Sequence, residues 1–109
     1  MVAAMATLTG PATGLAEISR MASEAVEGWL RDYDGYRGLL IFTDEGAQTS
    51  RVVTLWETAE AEGKARSSRG AMRDQIAAQA GMELVEFGVW EVAVLELATA
   101  SEHSTEDDR

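Results

Sequence analysis

The chain has 109 residues, enough for one domain of ordinary size. Apolar residues make up 46% and charged residues 26%, the balance of a folded globule rather than of a disordered segment. Nine basic against nineteen acidic side chains leave a formal charge of −10, which repels a polyanion and argues against nucleic acid as a partner.

No run approaches the roughly 18 apolar residues of a membrane span, and Met1 to Pro11 lacks a basic leader region. No membrane partner is expected, and a cytoplasmic location follows as the default. There is no cysteine, hence no disulfide, thiolate zinc site or thiol nucleophile. The lone histidine, His103, sits in an acidic tail expected to fray over residues 99–109. Residues 1–98 form the expected folded domain.

The first eight residues supply one strand, and Gly10, Pro11 and Gly14 mark the turn that follows. From Leu15 the period becomes helical: Leu15, Ile18, Ala22, Ala25, Trp29 and Leu30 fall on one stripe. Charged residues take the other side, with Glu27 and Arg31 spaced as a favourable pair, and Asp34-Gly35 is the expected stop. Two short strands follow, Tyr36–Phe42 and Arg51–Glu57, joined through TDEGAQTS as a hairpin. In the second of them Val53 and Leu55 share one face, while Val52, Thr54 and Trp56 share the other.

Thr58 is placed to cap a second helical region, which Gly63 and Ser67-Ser68 are expected to divide into two short helices before Gly81 ends it. The last strand candidate runs from Glu83 to Leu97, apolar on both faces, with Gly88 suggesting a bulge or a close backbone approach. The order β-α-β-β-α-β predicts an α+β, ferredoxin-like fold: a four-stranded antiparallel sheet with both helices on one face. Thr54, Trp56, Trp90 and Val92, or their counterparts on the other side, would then form a bare apolar patch. A second copy packed against the helix-free face, giving a homodimer, is the economical cover.

Gly35-Tyr36-Arg37-Gly38 at the start of a strand, and Trp56-Glu57-Thr58 with Glu60-Ala61 at the end of the next, resemble the antibiotic-biosynthesis-monooxygenase-like domains of the dimeric α/β-barrel superfamily. The likeness spans roughly residues 2–97. It implies a cavity between helices and sheet in each subunit, taking a small apolar or aromatic ligand. In the monooxygenase branch it implies oxidation of an aromatic polyketide by molecular oxygen without flavin or metal, so no cofactor is expected. The pocket residues of that branch include Asn, Trp, Tyr and Arg; this chain has no asparagine, and Trp56 matches the strand-end Trp. The haem-degrading branch uses a helix histidine, and the second helix here has none.

The candidate catalytic residues are therefore Trp56, Tyr36 and Arg73, and the candidate ligand-binding residues Trp29, Arg37, Leu39, Ile41 and Glu91. Each has a plainer reading. Trp56 either stacks a planar ligand or fills the core, the commoner use of such a ring. Tyr36 orients a ligand or caps the core edge. Arg37, Arg66, Arg69 and Arg73 form an anion-binding patch or pair with Glu57, Glu60, Glu62 and Asp74 on a wet surface. Glu91 is a base if buried and a rim charge if not. The acidic residues around Asp44 lack the spacing of a calcium loop, so no metal is expected. Two functions compete: a cofactor-independent monooxygenase, and a non-catalytic dimer that binds an apolar small molecule.

Overall fold

The computed structural model describes residues 1–98, and of residues 69–73 the backbone alone. The tail expected over 99–109, with His103, lies outside the described residues. The elements are β1 (Val2–Thr9), α1 (Ala12–Gly28), a 3-10 turn (Leu30–Asp32), β2 (Tyr36–Asp44), β3 (Thr49–Trp56), α2 (Ala59–Gln79) and β4 (Glu83–Glu91). The strands form one antiparallel sheet in the order β2-β3-β1-β4, with both helices on one face, the arrangement that the chain order predicts.

Cross-strand partners share a face, so the register assigns every strand residue to a side. Towards the helices lie the rows Tyr36–Trp56–Val2–Glu91, Leu39–Thr54–Ala4–Val89 and Ile41–Val52–Ala6–Phe87. Away from them lie Leu40–Val53–Met5–Gly88 and Gly38–Leu55–Ala3–Trp90. Trp56 and Trp90 thus sit on opposite faces, whereas the sequence reading grouped them on one. Alternation within a strand does not say which of its faces matches which face of another; here the unbroken register puts Val2 beside Trp56 and its neighbour Ala3 beside Trp90. Bulges add two local slips, between Tyr36 and Gly38, making Arg37 the extra residue, and beside Thr7 and Leu8, where Val85 is extra.

Helix α1 buries the expected stripe, with Leu15, Ile18 and Ala25 against the sheet. It ends earlier than expected: the Trp29 amide donates to the Ala25 carbonyl, and the chain tightens into the 3-10 turn before Gly35 takes its left-handed conformation at φ 83°. A Cβ at Gly35 would also lie 2.6 Å from the Ala61 Cβ, so a close approach to α2 requires glycine there as well. The Glu27–Arg31 pairing gives way to an Arg31 Nε bond to the Val26 carbonyl, and the surface ion pairs of α1 run instead from Arg20 to Glu17 and Glu24.

Helix α2 is one continuous helix rather than two. Thr58 caps it by accepting from the Ala61 amide at 3.0 Å. Gly63 has open space around it, and the Ser68 hydroxyl folds back within reach of the Lys64 and Ala65 carbonyls, so neither signal breaks the rod. Strand β4 stops at Glu91, short of the expected Leu97. Its only neighbour, β1, begins at Val2, and after the Val92 amide donates to the Met1 carbonyl no partner strand remains. Val94 and Leu97 are left largely exposed beyond the sheet.

Candidate functional site

Between the helices and the sheet lies a cavity of about 100 Å3. Its cause is compositional. The floor at the centre of the sheet is Ala4 and Ala6 on β1, and the roof carries Ala22 and Ala25 from α1 and Ala77 from α2. Five methyl-sized side chains meet where a core of ordinary density would interdigitate larger ones. Larger residues close the sides: Leu39, Val52 and Phe87 from the sheet, and Ile18, Trp29 and Ile76 from the helices.

Polar groups on this wall are scarce. The lining side chains offer the Thr54 hydroxyl and the Trp29 indole N–H, and none of them is titratable. Thr54 is 5% exposed, and its Oγ1 accepts a hydrogen bond from Trp56 Nε1 at 2.9 Å. Trp56 itself is fully enclosed and does not reach the cavity surface. Stacking a ligand needs an exposed ring face, so the geometry takes Trp56 out of ligand contact and places it one layer behind Thr54.

Trp56 is held by a cluster of rings. Tyr36 meets it edge-on with centroids 5.7 Å apart, Tyr33 does so at 6.3 Å, and Trp29 meets Tyr33 at 5.9 Å. Each such pair adds roughly 0.5–1.5 kcal/mol beyond area burial. Of the four rings only Trp29 reaches the cavity, so the cluster plugs one end and fixes the Trp56–Thr54 pair. Burial raises the Tyr36 phenol above its ordinary value, with the Arg31 charge opposing; the group is neutral near pH 7.

The candidates from sequence therefore separate. Trp29 and Leu39 line the cavity. Tyr36 and Trp56 stand behind its end wall. Ile41 lies in the row with Val52 and Phe87 but at the sheet edge, outside the lining. Arg37, on its bulge, points to solvent and pairs with Glu57 at 2.8 Å, an exposed pair worth little. Glu91 is exposed at the end of edge strand β4, the rim position rather than the buried one. The side chain of Arg73 falls outside the described residues.

Two relations were not read from the sequence: the bond between Thr54 and Trp56, and the burial of Glu62, which was expected on a wet surface. Thr54 is the sole hydroxyl in the apolar run Val52-Val53-Thr54-Leu55-Trp56, and its two-residue spacing to Trp56 was signal enough to place both on one face. Glu62 is 1% exposed; its Oε1 takes an ion pair from Arg66 at 3.2 Å, and its Oε2 has no hydrogen-bond partner among the described residues. The Arg66 guanidinium lies 5.4 Å from the centre of the Phe87 ring, so the pair backs one cavity wall. No group of acidic or histidine residues that could hold a metal ion occurs among the described residues, and none of their helices is long and apolar enough to cross a membrane.

No family model matches the chain, and no curated protein does. Solved structures match it at the level of fold. SnoaB, a cofactor-independent oxygenase from Streptomyces nogalater, is 15% identical, covers 86% of this chain and 94% of its own, and superposes with a TM-score of 0.64. The ActVA-Orf6 monooxygenase of Streptomyces coelicolor, solved in complex with nanaomycin D, is 16% identical over 88% of this chain and 92% of its own, with a TM-score of 0.64. A variant of MhuD with two manganese protoporphyrin IX molecules bound per active site is 20% identical over 91% and 100%, with a TM-score of 0.60. The chain shares its fold with these oxygenases and with proteins described as antibiotic biosynthesis monooxygenases. The described cavity wall does not suit a haem, since it bears no side chain of the usual iron-ligating kinds.

Proposed function

We propose that this domain is a cofactor-independent monooxygenase for a small planar aromatic or polyketide-like substrate, with molecular oxygen as the oxidant. The observation that carries this reading is an apolar cavity with a single positioned hydroxyl, in a fold shared with a cofactor-independent oxygenase. Such a wall excludes water and holds a flat ring by dispersion and area burial. In the reaction, one oxygen atom becomes a new ring carbonyl, and the other leaves as water with the two hydrogens lost by the phenol. A phenol and O2 thus balance against a quinone and water.

Because the described wall carries no titratable side chain, the phenolic proton has to leave before or outside the cavity. The substrates that fit are phenols acidic enough to enter as phenolates. Oxygen uptake measured with a panel of polycyclic phenols tests the reading, and the rate should rise with pH through each substrate's own pKa. No uptake across the panel overturns it. The missing base also favours a second reading, capture of an apolar molecule without turnover. Binding of the same phenols with no uptake would select that one.

The functional unit we propose is a homodimer joined through the helix-free face. Two rows cross all four strands there without a charge, Leu40–Val53–Met5–Gly88 and Gly38–Leu55–Ala3–Trp90. Phe42 and Trp90 are each about half exposed, at 55% and 49%. Val53 and Leu55 between them are already buried within the chain, and the neighbouring row Phe42–Arg51–Thr7–Glu86 brings two charges to the rim of the strip. An apolar strip with exposed aromatics supports an interaction surface, and a second copy offers the same uncharged rows in return.

A further inference from the structure

The Thr54–Trp56 bond leaves a buried hydroxyl proton for which the cavity wall offers no acceptor. An indole N–H only donates, so in this pair the Thr54 hydroxyl is the acceptor and its proton remains unused. Among the described residues no acceptor takes that proton, although Thr54 is 5% exposed and lines the cavity. The second polar group on the wall, the Trp29 indole, is likewise a donor and never an acceptor. The wall's two polar side chains thus hold one unused hydroxyl proton and one group that can only donate, in an otherwise apolar lining.

We infer that the cavity is specific for neutral or anionic planar ligands that carry a hydrogen-bond-accepting oxygen, a carbonyl or a phenolate, and that Thr54 is the residue that determines this specificity. Trp56 is its positioning residue: by occupying one lone pair it turns the hydroxyl proton outward. A ligand with an acceptor satisfies a buried donor that is otherwise unpaired, and a ligand without one leaves it so. This inference rests on the reading of the cavity as a ligand site, and it names the chemical class of what enters.

The test uses the full chain and two probes of nearly equal shape, 1-indanone, which has a carbonyl, and indane, which has none. Dissociation constants are measured for wild type, Thr54→Val and Thr54→Ser. The ratio of the two constants cancels their difference in hydrophobicity when it is compared between proteins. The preference for 1-indanone should fall by roughly three- to tenfold in Thr54→Val, the reach of one neutral hydrogen bond. It should persist in Thr54→Ser. A preference unchanged in Thr54→Val, with both probes still bound, overturns the role of Thr54 and leaves the cavity a ligand site. Binding of neither probe by wild type overturns both. If Thr54→Val does not fold, the infrared carbonyl band of 1-indanone bound to wild type decides. A band below its position in alkane solvent supports the donor, and a band at the alkane position overturns it.

Discussion

The indole N–H of Trp56 reaches back along its own strand to the hydroxyl of Thr54, 2.9 Å away, with the Trp ring wholly enclosed and the Thr at the cavity wall. The largest aromatic on β3 thus acts on the cavity through a neighbour. Trp56→Phe keeps an aromatic core but removes the donor. Loss of the bond and of ring volume should cost about 2 kcal/mol. For a domain near this size that lowers Tm by on the order of 10 °C, measured by thermal unfolding.

The cavity exists because alanines face one another across it, so enlarging one should fill it. Ala22 is half-buried on α1 and part of the roof. Ala22→Leu adds apolar volume to empty space and should raise stability by about 1 kcal/mol while abolishing binding of 1-naphthol. Urea unfolding and a binding titration check the two effects. A stabilised variant that still binds 1-naphthol would place the ligand elsewhere.

Tyr36 supplies the pH dependence. Burial raises its folded pKa above the ordinary 10.0. The folded state therefore holds the phenolic proton more tightly than the unfolded chain does. The associated stability is fully present below pH 10 and is lost as the pH rises through the folded value. Ultraviolet titration of wild type should show a tyrosine ionising late, a component absent in Tyr36→Phe, and the variant should lose less stability than wild type between neutral and strongly alkaline pH.

The helix-free face gives the oligomer prediction. Trp90 lies across Gly88, where a Cβ would collide with the indole ring. Gly88→Val should lift Trp90 from the sheet, and Leu40→Glu should place a charge in the row Leu40–Val53–Met5–Gly88. Both should convert a dimer to a monomer of 11.7 kDa by light scattering. Wild type behaving as a monomer at micromolar concentration would contradict the proposed pairing.

Much of this architecture was legible in the amino-acid order, for identifiable reasons. Period and punctuation placed α1, the β2–β3 hairpin and the Thr58 cap, because each is a local choice of the chain. The continuity of α2 through Gly63 and Ser68 was not legible, since packing of Ala65 and Ala77 against the sheet outweighs two weak breakers. Nor was the end of β4: Val92 to Leu97 reads as strand, but a strand needs a neighbour, and β1 has ended. At the site, Trp29 and Leu39 line the cavity, and the helical stripe that carries Trp29 was readable in the sequence. Thr54 was not, because its importance lies in a bond to Trp56 and in the small alanines opposite, which are relations between elements rather than properties of a segment.

The central claim is that the space between helices and sheet receives a planar aromatic molecule. A methyl-detected NMR titration with 1-naphthol addresses it most directly. The account predicts saturable shifts concentrated at Ala4, Ala6, Ile18, Leu39 and Ile76, with Leu40, Val53 and Leu55 on the far face unmoved. Shifts confined to that far face, or none at any methyl, would contradict it.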